Sequence, residues 1–192
     1  MTGVGQVLKA AALAALLLTA SCNRPVSEGK AVAAAPKQRG PKPSPTAHLI
    51  RLPDSAIFVE RGSTEEQLAA FLASDAPAPR LFRFVGTEFE PWQSKPNPST
   101  LRTMYAVAQI LRAYPHSEVT LIGHTDDVGT AEQNLRLSQE RVDRMAGLLI
   151  RTGILARRIT AIGHGMRDPI ADNRTEEGKA RNRRIELVVT AK

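Results

Sequence analysis

A chain of 192 residues is long enough for one domain of ordinary size plus appendages. Aromatics make up only 4% of it, so a core has to be built from Leu, Ile, Val and Ala, and the single cysteine excludes an intramolecular disulfide. The formal charge of +7 permits an acidic partner such as nucleic acid, anionic lipid or a teichoic-type polymer, but it does not demand one.

Met1 to Cys22 reads MTGVGQVLKAAALAALLLTASC. One cation, Lys9, precedes an unbroken apolar run from Ala10 to Ala20. At about 1.5 Å per residue that run is too short to span a bilayer core of about 30 Å, but it suits the apolar part of an export signal. The run closes on Leu18-Thr19-Ala20-Ser21-Cys22, which resembles the lipobox of bacterial lipoprotein precursors, with Thr19 standing where Leu is usual. The resemblance implies removal of residues 1–21 and lipidation of Cys22. An ordinary signal peptide with a free cysteine nearby is the plainer alternative. A lipid anchor needs no transmembrane helix. Asn23, in place of the Asp associated with inner-membrane retention, favours the outer membrane. Residues 22–47, rich in Ala, Pro and Lys and without apolar period, read as a disordered tether. In polyproline-like form, at about 3.1 Å per residue, it would reach on the order of 80 Å. The export signal argues against nucleic acid as a natural partner.

Residues 48–78 read as a small N-terminal extension. Ala56 to Val59 is predicted as a short strand after a turn at Pro53-Asp54. Ser63 or Thr64 then caps a helix, with Glu66 or Gln67 in the capping-box position and Leu68, Phe71 and Leu72 as its apolar stripe. This piece is too small to fold alone, so it is expected to pack on the main domain.

The main domain is assigned to residues 79–192. Leu81 to Phe84 is predicted as a strand, and Gly86 to Pro98 as a long loop holding Phe89 and Trp92. A helix starts at Asn97, Pro98 or Ser99, with Leu101, Met104, Ala108 and Leu111 as its buried stripe, and Tyr114-Pro115 ends it. Val119 to Ile122 is a second strand. Thr130-x-x-Gln133 forms a capping box for a second long helix, in which Leu135, Val142, Met145 and Leu149 recur at helical spacing and which Gly153 closes. Arg158 to Ile162 is a third strand, Met166 to Gly178 a polar loop, and Ile185 to Val189 a final strand. The alternation gives a βαβαβ core with one further strand, an α/β protein in two layers.

Three motifs follow in order: Gly123-His124-Thr125-Asp126, Asn134-x-x-Leu137-Ser138-x-x-Arg141, and Gly178-x-x-x-Asn182-Arg183-Arg184. Together they closely resemble the OmpA-like peptidoglycan-binding domain shared by outer-membrane proteins, Pal-type lipoproteins and MotB-type stator proteins, over roughly residues 80–190. The resemblance implies a mixed sheet packed by two long helices, no cofactor and no catalysis. It also implies a ligand, the peptide stem of peptidoglycan gripped at diaminopimelate. Asp126 then takes the ligand's ammonium and Arg141 its carboxylate, a task that suits a planar guanidinium fork. Asn134 matches a hydrogen-bonding asparagine, and Arg183 the first arginine of the closing motif. Thr125 and Leu137 contribute through backbone groups.

Two departures stand out. Phe89-Glu90-Pro91-Trp92 occupies the loop where Asn or Ser is common, so Trp92 would wall or narrow the pocket, and Val128 stands where a hydroxyl is frequent. Plainer roles exist for the charges: Asp126 capping its turn, and Arg141 pairing with Glu140 or Asp143 on its own helix. Arg183 and Arg184 alternate, turning one to the pocket and the other to solvent. A metal-hydrolase site built from His124, Asp126, Asp127 and His164 is the competing enzyme reading, weakened by the lack of a third histidine at ligand spacing. Electrostatic binding of an acidic polymer through the tether and Arg181 to Arg184 is the third. The expectation is therefore a lipid-anchored, non-enzymatic envelope protein facing the periplasm, joining outer membrane to peptidoglycan, with other envelope proteins as possible partners of the extension.

Overall fold

The computed structural model describes residues 46–84, 89 and 94–192. The export segment, Cys22, almost all of the tether, and Trp92 lie outside the described residues.

Strands β1 (Ala47–Arg51) and β2 (Ala56–Glu60) form an antiparallel hairpin around the Pro53-Asp54 turn. Only β2 is legible in the sequence. Ile57 and Val59 point into the core while Phe58 points out, opposite Leu49. Helix α1 (Thr64–Ala73) is capped by the Ser63 hydroxyl, which accepts the Glu66 amide at 3.2 Å. Leu68, Phe71 and Leu72 are its buried stripe, at the positions the period predicts. The hairpin and α1 share one hydrophobic core with the rest of the described chain.

Next come β3 (Arg80–Phe84), α2 (Pro98–Ala113), β4 (Glu118–His124), α3 (Ala131–Arg151), β5 (Ile159–Gly165), α4 (Glu176–Asn182) and β6 (Ile185–Ala191). The sheet order is β3-β6-β4-β5, with β4 and β5 parallel and β6 antiparallel to both of its neighbours. The parallel pair requires a crossover, and α3 supplies it. The last strand thus slots into the middle of the sheet, so the closing motif lies beside the end of β4. Met104, Val107 and Leu111 of α2 and Val142, Met145 and Leu149 of α3 cover one face, against Leu121 and Leu187. Each is almost fully buried, worth about 1.5–3 kcal/mol per large side chain.

Local signals set the boundaries. Asn97 caps α2 by accepting the Thr100 amide at 2.8 Å, with Pro98 at the first helical position. Thr130 and Gln133 form the reciprocal capping box of α3.

Four expectations need correction. Leu135 is 41% exposed, and the front half of α3 buries Asn134, Ser138 and Arg141 instead, because that half faces the strand ends and not the apolar core. Arg158 belongs to a 3-10 turn (Ala156–Arg158) ahead of β5. Its buried guanidinium donates to the Leu111 and Tyr114 carbonyls at the end of α2, both at 2.8 Å. The polar loop before the last strand contains α4, a seven-residue helix without an apolar stripe, started by the Thr175 hydroxyl accepting the Gly178 amide. Arg184 does not face solvent; it is 3% exposed and ion-paired to Glu186 at 2.9 Å.

Candidate functional site

The site forms where β4, α3 and α4 meet. β4 ends in a fixed conformation because the His124 amide donates to the Arg184 carbonyl and the Thr125 amide to the Gly165 carbonyl. A turn follows, with Gly129 at φ +91°, before Thr130 restarts the chain as helix. Asp126 uses one carboxylate oxygen to accept the Val128 amide at 3.3 Å. The other oxygen receives Arg183 at 2.7 Å, and both side chains are partly exposed to the cleft.

Helix α3 lies very close to the two strands. A Cβ on Gly163 would stand 2.5 Å from the Gln139 amide nitrogen, and one on Gly123 2.7 Å from the Ser138 carbonyl oxygen. Glycine at both positions is therefore a packing requirement. The Ser138 hydroxyl locks the contact by accepting the Gly165 amide at 2.8 Å and donating to the Leu135 carbonyl. This seat aims Asn134, Leu137 and Arg141 at the cleft from one face of the helix. Asn134 is buried and donates to the Val128 carbonyl at 2.8 Å, so it clamps the turn that carries Asp126. Arg141 is 2% exposed, with its guanidinium 4.7 Å from the centre of the Phe89 ring. Burial pulls its pKa down to about 10, with Asp126 opposing the shift, so it remains a cation at neutral pH.

The cleft has a volume of about 220 Å³ and is lined by Thr125, Asp126, Val128, Asn134, Leu137, Arg141, Glu176, Lys179 and Arg183. All six ligand-binding residues expected from the sequence meet here. Two meet it differently from the expectation of backbone contacts. The Thr125 amide is spent on Gly165, whereas its buried hydroxyl has no hydrogen-bond partner among the described residues. Leu137 sits inside α3, where its backbone belongs to the helix ladder, so it presents an apolar side chain. Glu176 and Lys179 are not singled out by the sequence, because α4 lacks the apolar period that would mark it as a helix. Val128 lines the cleft, and Trp92 lies outside the described residues.

Asn182, the first residue of the closing motif, is fully buried and holds the loop before α4. Its side-chain oxygen accepts the Ile170 and Ala171 amides, and its nitrogen donates to the Ala171 carbonyl and the Asn173 side chain, all at 2.8–3.0 Å. Behind the cleft, Glu186 binds Arg83 and Arg184, each at 2.9 Å, and lies 3.5 Å from His124 Nε2. Burial, the largest influence, would raise the Glu186 carboxyl, but the hydrogen bonds from the two arginines outweigh it and hold the group below its ordinary value. Burial and the Arg184 charge lower the His124 pKa.

The histidines are committed to this scaffold. His124 Nδ1 donates to the Arg167 carbonyl at 3.2 Å, and His164 pairs with Asp168. The two rings meet edge to face with centres 5.3 Å apart. Among the described residues no group of three or more His, Cys, Asp or Glu side chains is arranged to hold a metal.

The candidate site is thus a charged cleft at one end of the sheet of a two-layer α/β domain. The sequence model of the OmpA family matches residues 89–183, just under half of the chain. Probable lipoprotein YiaD of Escherichia coli is 45% identical over 93 residues, covering 48% of this chain and 42% of that one. Peptidoglycan-binding protein ArfA of Mycobacterium tuberculosis is 39% identical over 92 residues, covering 48% of this chain and 28% of that one. The chain thus spans less than half the length of these curated relatives. Among solved structures, the cell wall anchor of the T6SS from Pseudomonas aeruginosa superposes with a TM-score of 0.53 at 29% identity, covering 69% of this chain and all of that one.

Proposed function

We propose that this protein binds peptidoglycan without covalent chemistry, taking the zwitterionic end of a diaminopimelate side chain into the cleft. Asp126 accepts the ligand's ammonium and Arg141 donates to its carboxylate. The observation that carries this reading is the pairing of opposite charges on one small cleft, beside a Thr125 hydroxyl that has no partner among the described residues. The naming of a relative as peptidoglycan-binding, and of a structural neighbour as a wall anchor, supports it. Arg183 already neutralises Asp126 within the cleft. An incoming ammonium shares or replaces that contact, which keeps single-site affinity modest.

Retention then depends on the N-terminus. A lipid on Cys22, followed by the tether of residues 22–47, would hold the domain in the periplasm beside a polymer with many identical sites. High effective concentration compensates for a weak grip. The protein would in this way link the outer membrane to the wall, as a binder and not an enzyme, with no nucleic-acid partner.

Calorimetric titration of the full-length chain with stem peptides tests the clamp. One peptide carries diaminopimelate and the other lysine, which keeps the ammonium but lacks the side-chain carboxylate. Preference for diaminopimelate, lost in Asp126→Ala and in Arg141→Ala, is the expected result. Equal binding of both peptides, or no heat from folded protein, sinks the reading.

A further inference from the structure

Asp126 and Arg141 suffice for one ammonium and one carboxylate, yet the cleft carries a further charged pair, Lys179 with Glu176. Lys179 lies on α4 and Arg183 caps the end of that helix, and both line the cleft. The pair is lopsided. The Lys179 side chain is 23% exposed and lines the cleft, while the Glu176 side chain, 2.9 Å away, is 81% exposed. A carboxylate standing in water holds its partner weakly and is easily exchanged for another. Glu176 foremost, and also Asp127 and Asp126, keep the ammonium protonated, so it waits as a cation.

We propose that Lys179 is a specificity-determining residue: its ammonium leaves Glu176 for a second carboxylate on the stem, adjacent to the residue gripped by Asp126 and Arg141. This inference rests on the proposed diaminopimelate site. The stem runs through the γ-carboxyl of its glutamate, which leaves the α-carboxylate free beside the gripped residue. Where a wall amidates that position, the ligand offers a neutral carboxamide. Lys179 therefore makes the protein prefer unamidated stems. Arg183 is less suited to this task because Asp126 already occupies it.

The test uses the full-length chain and three probes: free meso-diaminopimelate, the tripeptide L-Ala-γ-D-Glu-meso-diaminopimelate, and the same tripeptide with the glutamate α-carboxyl amidated. The wild type should bind the acid tripeptide about fivefold tighter than the amide, the range of a partly exposed charge pair. Lys179→Met should erase that ratio by weakening the acid tripeptide more than the amide. Glu176→Gln, which frees the ammonium, should enlarge the ratio. An acid-to-amide ratio near one in the wild type, or a ratio unchanged in Lys179→Met, overturns the role of Lys179 while binding of free diaminopimelate upholds the site. No binding of any probe overturns the site and this inference together.

Discussion

Arg183 and Arg184 are neighbours in the chain, but they belong to opposite kinds of ionic cluster. Arg184 lies behind the strand ends, 3% exposed, in a knot with Glu186, Arg83 and His124. Its remaining donors reach the Asn182 and Asp168 carbonyls. Arg183 faces the cleft with a side chain 28% exposed and one carboxylate, Asp126, that is itself partly open. In the rear cluster Glu186 is paired with both arginines, while His124 Nε2 has no hydrogen-bond partner among the described residues, and the cluster serves as scaffold. The front cluster has groups within reach of a ligand. What separates scaffold from site is whether the fold completes the partners of a charge, not which residue type carries it.

The largest effect should come from breaking the rear knot. Glu186→Ala leaves Arg184 buried without its carboxylate and should cost about 3–5 kcal/mol, read as a lowered urea midpoint with an unchanged slope. The contrast with Asp126→Ala is the point: that variant should lose diaminopimelate binding while its stability falls by about 1 kcal/mol or less, since its ion pair is partly exposed. If Glu186→Ala kept its stability, or Asp126→Ala unfolded, the division between scaffold and site would fail.

Close packing of the helix that serves the cleft gives the next effect. Gly163→Ala would push a methyl into the Gln139 backbone and should destabilise by about 1–3 kcal/mol. Binding should weaken as well, because α3 carries Arg141 and cannot stay seated. A thermal scan beside a titration checks both.

Acid should loosen the rear cluster. Both His124 and Glu186 have folded pKa values below their ordinary ones, so each contributes stability above its ordinary value that is lost as pH falls towards the folded value. His124 should begin to cost stability below about pH 6.5 and Glu186 below about pH 4.5. Urea midpoints from pH 8 to pH 4 for the wild type and His124→Asn would show it. The difference between the two proteins should change from pH 7 to pH 5, and a constant difference contradicts the assignment.

The smallest effect sharpens the comparison most. Thr125→Val removes a buried hydroxyl that has no partner among the described residues, so stability should hold or rise slightly. Binding of diaminopimelate should weaken several-fold if the hydroxyl serves the ligand. Unchanged binding would return Thr125 to the scaffold.

The element pattern and most of the cleft are legible in the amino-acid sequence. Caps are local chemistry, so Asn97, Thr130 and Gln133 announce their helices, and apolar period locates α1, α2 and α3. The three motifs contain all six expected lining residues, and helical spacing puts Asn134, Leu137 and Arg141 on one face of α3. Strand β1 and helix α4 escape a sequence reading for opposite reasons. The first has its outer face exposed and borders a polar tract, and the second has no apolar stripe and a glycine within it.

Sequence by itself therefore determined where α1, α2 and α3 lie, most of what their period buries, and which charges stand in one family-like pattern. Tertiary structure alone decided that the last strand sits between β3 and β4, which carries the closing motif to the end of β4. It also decided that Asp126 pairs with Arg183, that the Thr125 amide is taken by Gly165 while its hydroxyl has no partner among the described residues, and that Lys179 reaches the cleft. The Asp126–Arg183 pair joins residues 57 positions apart, and no local propensity encodes such contacts. They follow from sheet order and from helix α3 packing against strands that only glycine allows it to approach so closely.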